Sequence, residues 1–112
     1  MQTFLPYPDF SRSAAVLDNK RLQKQIVECK QIYLSLTEPE YGWKNHPAVK
    51  MWIGYKECLC EYAFHCAVEW EGRFRKDHSL TLFCIRHMHI TTYPKWFGNT
   101  QFHLSHRSNL LR

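Results

Sequence analysis

The last third of this 112-residue chain lacks acid: from His78 to Arg112 neither Asp nor Glu occurs, while Arg86, Lys95, Arg107 and Arg112 do. There is also no apolar run near the roughly 18 residues that a membrane-spanning helix needs, so no membrane partner is expected. The start, MQTFLPYPDF, has neither the cationic segment nor the apolar block of a secretion signal. These absences make an intracellular, cytoplasmic location the expectation. In a reducing compartment Cys29, Cys58, Cys60, Cys66 and Cys84 are expected as free thiols, not a disulfide framework. No C-x-x-C pair and no H-E-x-x-H spacing occurs. On a helix Cys58 and Cys60 would point about 200° apart, and His87 and His89 share a face only on a strand. No metal is expected, and no motif asks for another cofactor. Repeats, low-complexity tracts and interdomain linkers are missing too.

What is present suits one folded domain covering residues 1–112. Hydrophobic residues make up 45% and aromatics 15%, enough for a core and against disorder. Formal charge is +5, from 15 Lys and Arg against 10 Asp and Glu. The acid-free tract interleaves its cations with Tyr93, Trp96, Phe97 and Phe102. That combination suits a polyanion with stackable bases, although an ordinary solvated surface accounts for it as well.

Pro6 and Pro8 keep the first residues out of a helix, and Asp9 or Ser11 can cap a short helical turn. From Asp18 onward, Leu22, Ile26, Cys29, Tyr33 and Leu36 recur at spacings of four and three, one stripe of an amphipathic helix that ends before Pro39. A second helix is expected from Asn45 as N-cap and Pro47 in the first turn, running to Gly72. Val49, Trp52, Ile53, Leu59, Cys60, Ala63, Cys66, Ala67 and Trp70 line its inner face. Residues 80–90 fit a short strand or a short helix, residues 93–99 read as an aromatic-rich loop, and a last helix starts near Asn99 or Thr100. The expected fold is mostly α, a compact three-helix domain with an irregular, basic, aromatic-rich segment before the last helix.

The run LDNKRLQKQIVECKQI is basic through Lys20, Arg21, Lys24 and Lys30, and beyond its first turn Glu28 is its only carboxylate. Arg21, Gln25 and Glu28 fall within about 60° of each other beside the apolar stripe. Such a carboxylate is either part of a charged site or half of a surface ion pair worth little. His46, before Pro47, either caps a helix or contacts phosphate at a helix start. Trp43, Trp96 and Phe97 either stack on extruded bases or belong to the core.

The runs MQTFLPYPDF, LDNKRLQKQIVECKQI, GWKNHPAVKMW and HLSHRSNLLR resemble the pyrimidine dimer DNA glycosylase (endonuclease V-like) family, and most closely a bacterial and phage branch grouped with it. The resemblance implies an enzyme that excises cross-linked pyrimidines from double-stranded DNA and then cuts the strand, without a cofactor. It places the protein inside a cell, phage-encoded in one version. In the family an N-terminal α-amine attacks the sugar, assisted by a helix glutamate six residues after a leucine; Leu22 and Glu28 have that spacing here. Residue 2 is Gln, too large for ready removal of the initiator, so the implied nucleophile is the α-amine of Met1, with Lys24 as a substitute. Lys20, Arg21 and Lys24 would hold phosphates, and Gln25, His46, His103, His106 and Arg107 would complete the polar DNA-binding site. Two other classes stay open: a non-catalytic nucleic-acid-binding module on the same scaffold, and a small interaction protein whose basic surface meets an acidic protein. Nothing in the sequence speaks to oligomeric state.

Overall fold

Asp9 and Asp18 open the first two helices, each accepting on a side-chain oxygen the N–H three residues on. Helix α1 spans Phe10–Ala15, with Arg12 N–H donating to Asp9 Oδ1 at 2.8 Å. Helix α2 spans Asn19–Thr37, with Arg21 N–H donating to Asp18 Oδ1 at 2.7 Å. It stops where Glu38 turns to extended backbone ahead of Pro39, which disfavours helix in its predecessor. The computed structural model describes residues 2–42, 44–89 and 93–110.

The expected second helix is divided. Helix α3 covers only Pro47–Lys50, and its N-cap is His46, not Asn45: His46 Nδ1 accepts the Ala48 N–H at 3.1 Å. A turn through Gly54, whose φ of 84° is costly for a side-chain-bearing residue, separates it from α4, Lys56–Phe74. Ile53, expected on the inner face, sits in that turn and is 60% exposed, because helical spacing does not run through the break. The ambiguous segment becomes helix α5, Thr81–His87. Helix α6, Thr100–Leu110, begins where Asn99 Oδ1 accepts the Phe102 N–H at 3.0 Å. Among the described residues the chain is mostly helical and has no strand, in agreement with the mostly α expectation. The longer α2, α4 and α6 are supplemented by three short helices, and residues 90–92 of the irregular segment lie outside the described residues.

The largest helix interface joins α2 to α4, and α1 and α5 pack on α4 as well. Leu22, Ile26, Cys29 and Ile32 of α2 meet Leu59, Tyr62, Ala63, Cys66 and Ala67 of α4 in one core. The small residues Ala63, Cys66 and Ala67 of α4 are among the most buried, which lets α2 approach closely. Trp52 is fully buried, and Trp96 meets it edge-on with ring centroids 5.0 Å apart. Trp96 also donates its Nε1–H to Met51 O at 3.1 Å, and Phe97 stacks on Phe10, so these two rings serve the core. Trp43 lies outside the described residues. All five cysteines are free and buried. Burial pushes the Cys58 and Cys60 thiols up to about 12 and Cys84 up to about 11, which leaves none of these three as a ready thiolate nucleophile. No described helix is long and apolar enough to cross a membrane.

Candidate active site

Residues 2–7 belong to no helix or strand, yet Thr3, Leu5 and Pro6 are buried. Backbone in that situation needs partners for its polar groups, and here side chains supply them. Gln2 N–H donates to Glu28 Oε2 at 3.0 Å, and Gln2 O accepts from Gln25 Nε2 at 2.8 Å. Phe4 N–H donates to Gln25 Oε1 at 2.6 Å, and Phe4 O accepts the Tyr62 hydroxyl. Leu5 N–H donates to His106 Nδ1 at 2.8 Å, and Leu5 O accepts from His103 Nδ1 at 2.5 Å. Pro6 O accepts from Arg107 Nε at 2.7 Å, and Tyr7 exchanges two bonds with the Ser13 hydroxyl. Trp52 Nε1–H reaches the Thr3 hydroxyl at 3.3 Å. The front of the chain is thus threaded between α2, α4 and α6 and held on all three.

This threading explains several residues assigned to the polar site. Gln25 is 1% exposed, and both ends of its amide are spent on residues 2 and 4. His103 is also 1% exposed; its Nε2 accepts the Gly98 N–H at 2.9 Å, so the ring proton sits on Nδ1 and points at Leu5 O. His106 accepts from Leu5 and must therefore be neutral at Nδ1; burial, with His103 nearby, lowers its pKa from 6.5 to about 4. Arg107 combines its bond to Pro6 with a guanidinium 4.4 Å from the centre of the Tyr7 ring. The last helix contributes its motif side chains to the N-terminal segment.

What faces outward is smaller. Gln2, Phe4, Arg21, Lys24, Gln25 and Glu28 line a hollow of about 170 Å³. Glu28 is 9% exposed, so the acid expected beside the seam is at its edge. Its Oε1 lies 3.8 Å from the Lys24 ammonium, which is itself well exposed at the mouth. Arg21 pairs back to Asp18 at 3.1 Å and remains half-exposed. Lys20 is exposed one turn before Lys24, on the same side of α2. The structure therefore gathers Arg21, Lys24, Gln25 and Glu28 at one place. His46, His103, His106 and Arg107 do not line the hollow. Met1 lies outside the described residues.

The sequence reading missed Tyr62, Ser13 and Trp52 as holders of residues 2–7. Tyr62 was legible, since it stands three residues after Leu59 and four before Cys66, on the same inner stripe. Its hydroxyl also reaches Gln25 Oε1 at 3.3 Å, tying the clamp on α2 to α4. Ser13 carried no signal, because a serine in a short helix has many ordinary uses.

Chemically, the arrangement offers a carboxylate at the edge of a cationic hollow, with the chain's first peptide unit hydrogen-bonded to it. No curated protein and no solved structure matches the chain. A family model does: pyrimidine dimer DNA glycosylase, over residues 1–82, which takes in the N-terminal segment, α1 to α4 and the start of α5. On that match the chain belongs to the pyrimidine dimer DNA glycosylase family of DNA repair proteins, with DNA as its substrate.

Proposed function

We propose that this chain excises damaged or modified bases from double-stranded DNA and then opens the abasic site, using the Met1 α-amine as nucleophile and Glu28 as the residue that moves protons and balances charge. The observation that supports this most is the Gln2 N–H to Glu28 Oε2 bond at 3.0 Å, because the α-amine of residue 1 is three covalent bonds from that nitrogen. An α-amine ordinarily titrates near about 8, so a useful fraction is neutral and nucleophilic at neutral pH. It would attack the anomeric carbon as the base departs with the bonding pair and takes up a proton. Positive charge grows on the sugar in that step, and a carboxylate beside it is the stabilising partner. Loss of the amine proton and ring opening give an imine; removal of the adjacent sugar proton then expels the 3′ phosphate. Arg21 and Lys24 line the hollow, Lys20 is exposed one turn before Lys24, and the three suit the flanking phosphates.

A second reading of the nucleophile has its own observation. The Lys24 amine stands 3.8 Å from Glu28 Oε1, close enough to replace the α-amine in the same chemistry. The non-catalytic reading keeps the basic hollow and gives Glu28 only the task of anchoring residue 2. Glu28→Gln separates catalysis from binding. It retains an acceptor for the Gln2 N–H and removes the charge, so excision should fall by about 10² to 10⁴ while DNA affinity stays or rises. Unchanged excision would remove Glu28 from the mechanism. Strand release in quench assays and affinity by titration read the two separately.

A further inference from the structure

A larger cleft, about 560 Å³, lies elsewhere on the molecule and shares no lining residue with the Glu28 hollow. Asp9 and Phe10 of the first turn, Glu61 and His65 of α4, and Tyr93 and Phe97 form its wall. Glu61 is 6% exposed, and its Oε2 is buried with no hydrogen-bond partner among the described residues. Its other oxygen fares little better: the Tyr93 hydroxyl stands 3.4 Å away and His65 Nε2 3.9 Å. Native proteins rarely leave a buried carboxylate oxygen so poorly satisfied, and a small rotation of the Glu61 carboxylate toward the cleft would let a bound donor satisfy it.

The rest of the wall specifies that donor. Phe10 and Phe97 stack with centroids 4.9 Å apart and planes 19° from parallel, and Tyr93 lies against Phe97 at 5.1 Å. Asp9 adds a second carboxylate. A planar cation is attracted to ring faces, and a guanidinium presents two parallel N–H groups that match two carboxylate oxygens. A plain ammonium lacks the fork and the flat face. A neutral base would leave the buried charge unbalanced, and a phosphate would be repelled by both acids. We infer that this aromatic and acidic cleft is a binding site for a guanidinium group, either a small free molecule or an arginine side chain of a protein partner.

The probes are agmatine and a blocked Gly-Arg-Gly peptide, titrated into the isotope-labelled full chain and followed by NMR and calorimetry. Saturable one-to-one binding is expected, with shifts centred on Phe10, Glu61 and Phe97. Glu61→Gln should weaken it by about tenfold or more, the loss of a charge-assisted pair. Ser11 is exposed on the cleft, and Ser11→Arg should fill the site from within, abolishing agmatine binding without lowering the melting temperature. Tighter binding of the peptide identifies a protein arginine as the occupant; equal or tighter binding of agmatine identifies a small molecule. Absence of saturation, affinity unaltered by Glu61→Gln, or butylamine or guanosine binding as tightly as agmatine would overturn the assignment. DNA excision by the Glu61→Gln variant is expected to match the wild type, so the outcome at this cleft is read independently of the Glu28 reaction.

Discussion

Glu28 and Gln25 stand three residues apart on one helix, and together they fix the backbone of residue 2 from both sides. Gln25 in turn depends on Tyr62, whose hydroxyl bridges Phe4 O and the Gln25 amide. Tyr62→Phe keeps the ring packing and deletes only that bridge, leaving a buried carbonyl short of a partner. The expected cost is about 1 to 3 kcal/mol in chemical denaturation, with a parallel loss of excision if residues 2–4 position the nucleophile. A stability loss without any change in excision would confine Tyr62 to folding. His106 gives a pH signature at the same scale. Its pKa falls from 6.5 to about 4 on folding, so both states are neutral above the higher value and the fold pays nothing there. As pH drops from about 6.5 toward 4, the unfolded chain takes a proton that the native ring refuses, and stability declines. His78, also lowered by burial, acts in the same direction. Urea midpoints measured across that window should fall with acid, and His106→Gln should make the fall shallower.

The elements were read from sequence with uneven success, for identifiable reasons. Helix α2 announced itself through Asp18, the apolar stripe and Pro39, and its bounds match. The break between α3 and α4 was hidden because Trp52, Leu59 and Ala63 keep an apolar pattern across it, while Gly54, which permits the turn, is common within weak helices. That turn yields its own prediction. A Cβ at Gly54 would meet nothing within 4 Å, so Gly54→Ala should be penalised by backbone conformation alone, about 1 kcal/mol. A cost near zero would show that the turn relaxes. Helix α6 was found, but what its histidines touch was not legible in HLSHR, which suits a phosphate contact and a buried network alike; spacing shows which residues share a face and is silent on what an extended N-terminal segment will lay against it. His103 and His106 face Leu5, a contact spanning nearly the whole chain.

Across the whole molecule, family membership rests on residues 1–82, whereas the clamp on Leu5 and Pro6 comes from α6, beyond that match. The N-terminal segment is therefore held by two parts of the chain with separate sequence signals. Glu28 stood out as an isolated acid on a basic helix, which fits a surface ion pair equally well; its closeness to the front of the chain was implied only by the family resemblance, because only the fold brings positions 26 residues apart into contact. Cations on α2 around the hollow also make a prediction for the intact protein: affinity for DNA should fall steeply with salt, and a flat salt profile would favour a neutral partner. The proposed chemistry depends on the first amine of the chain meeting the sugar beside Glu28. The direct measurement is borohydride reduction in the presence of abasic-site duplex, followed by peptide mass spectrometry of the trapped adduct. A covalent sugar adduct on the α-amine of residue 1 is expected in the wild type. An adduct on Lys24, or no adduct at all, would contradict it.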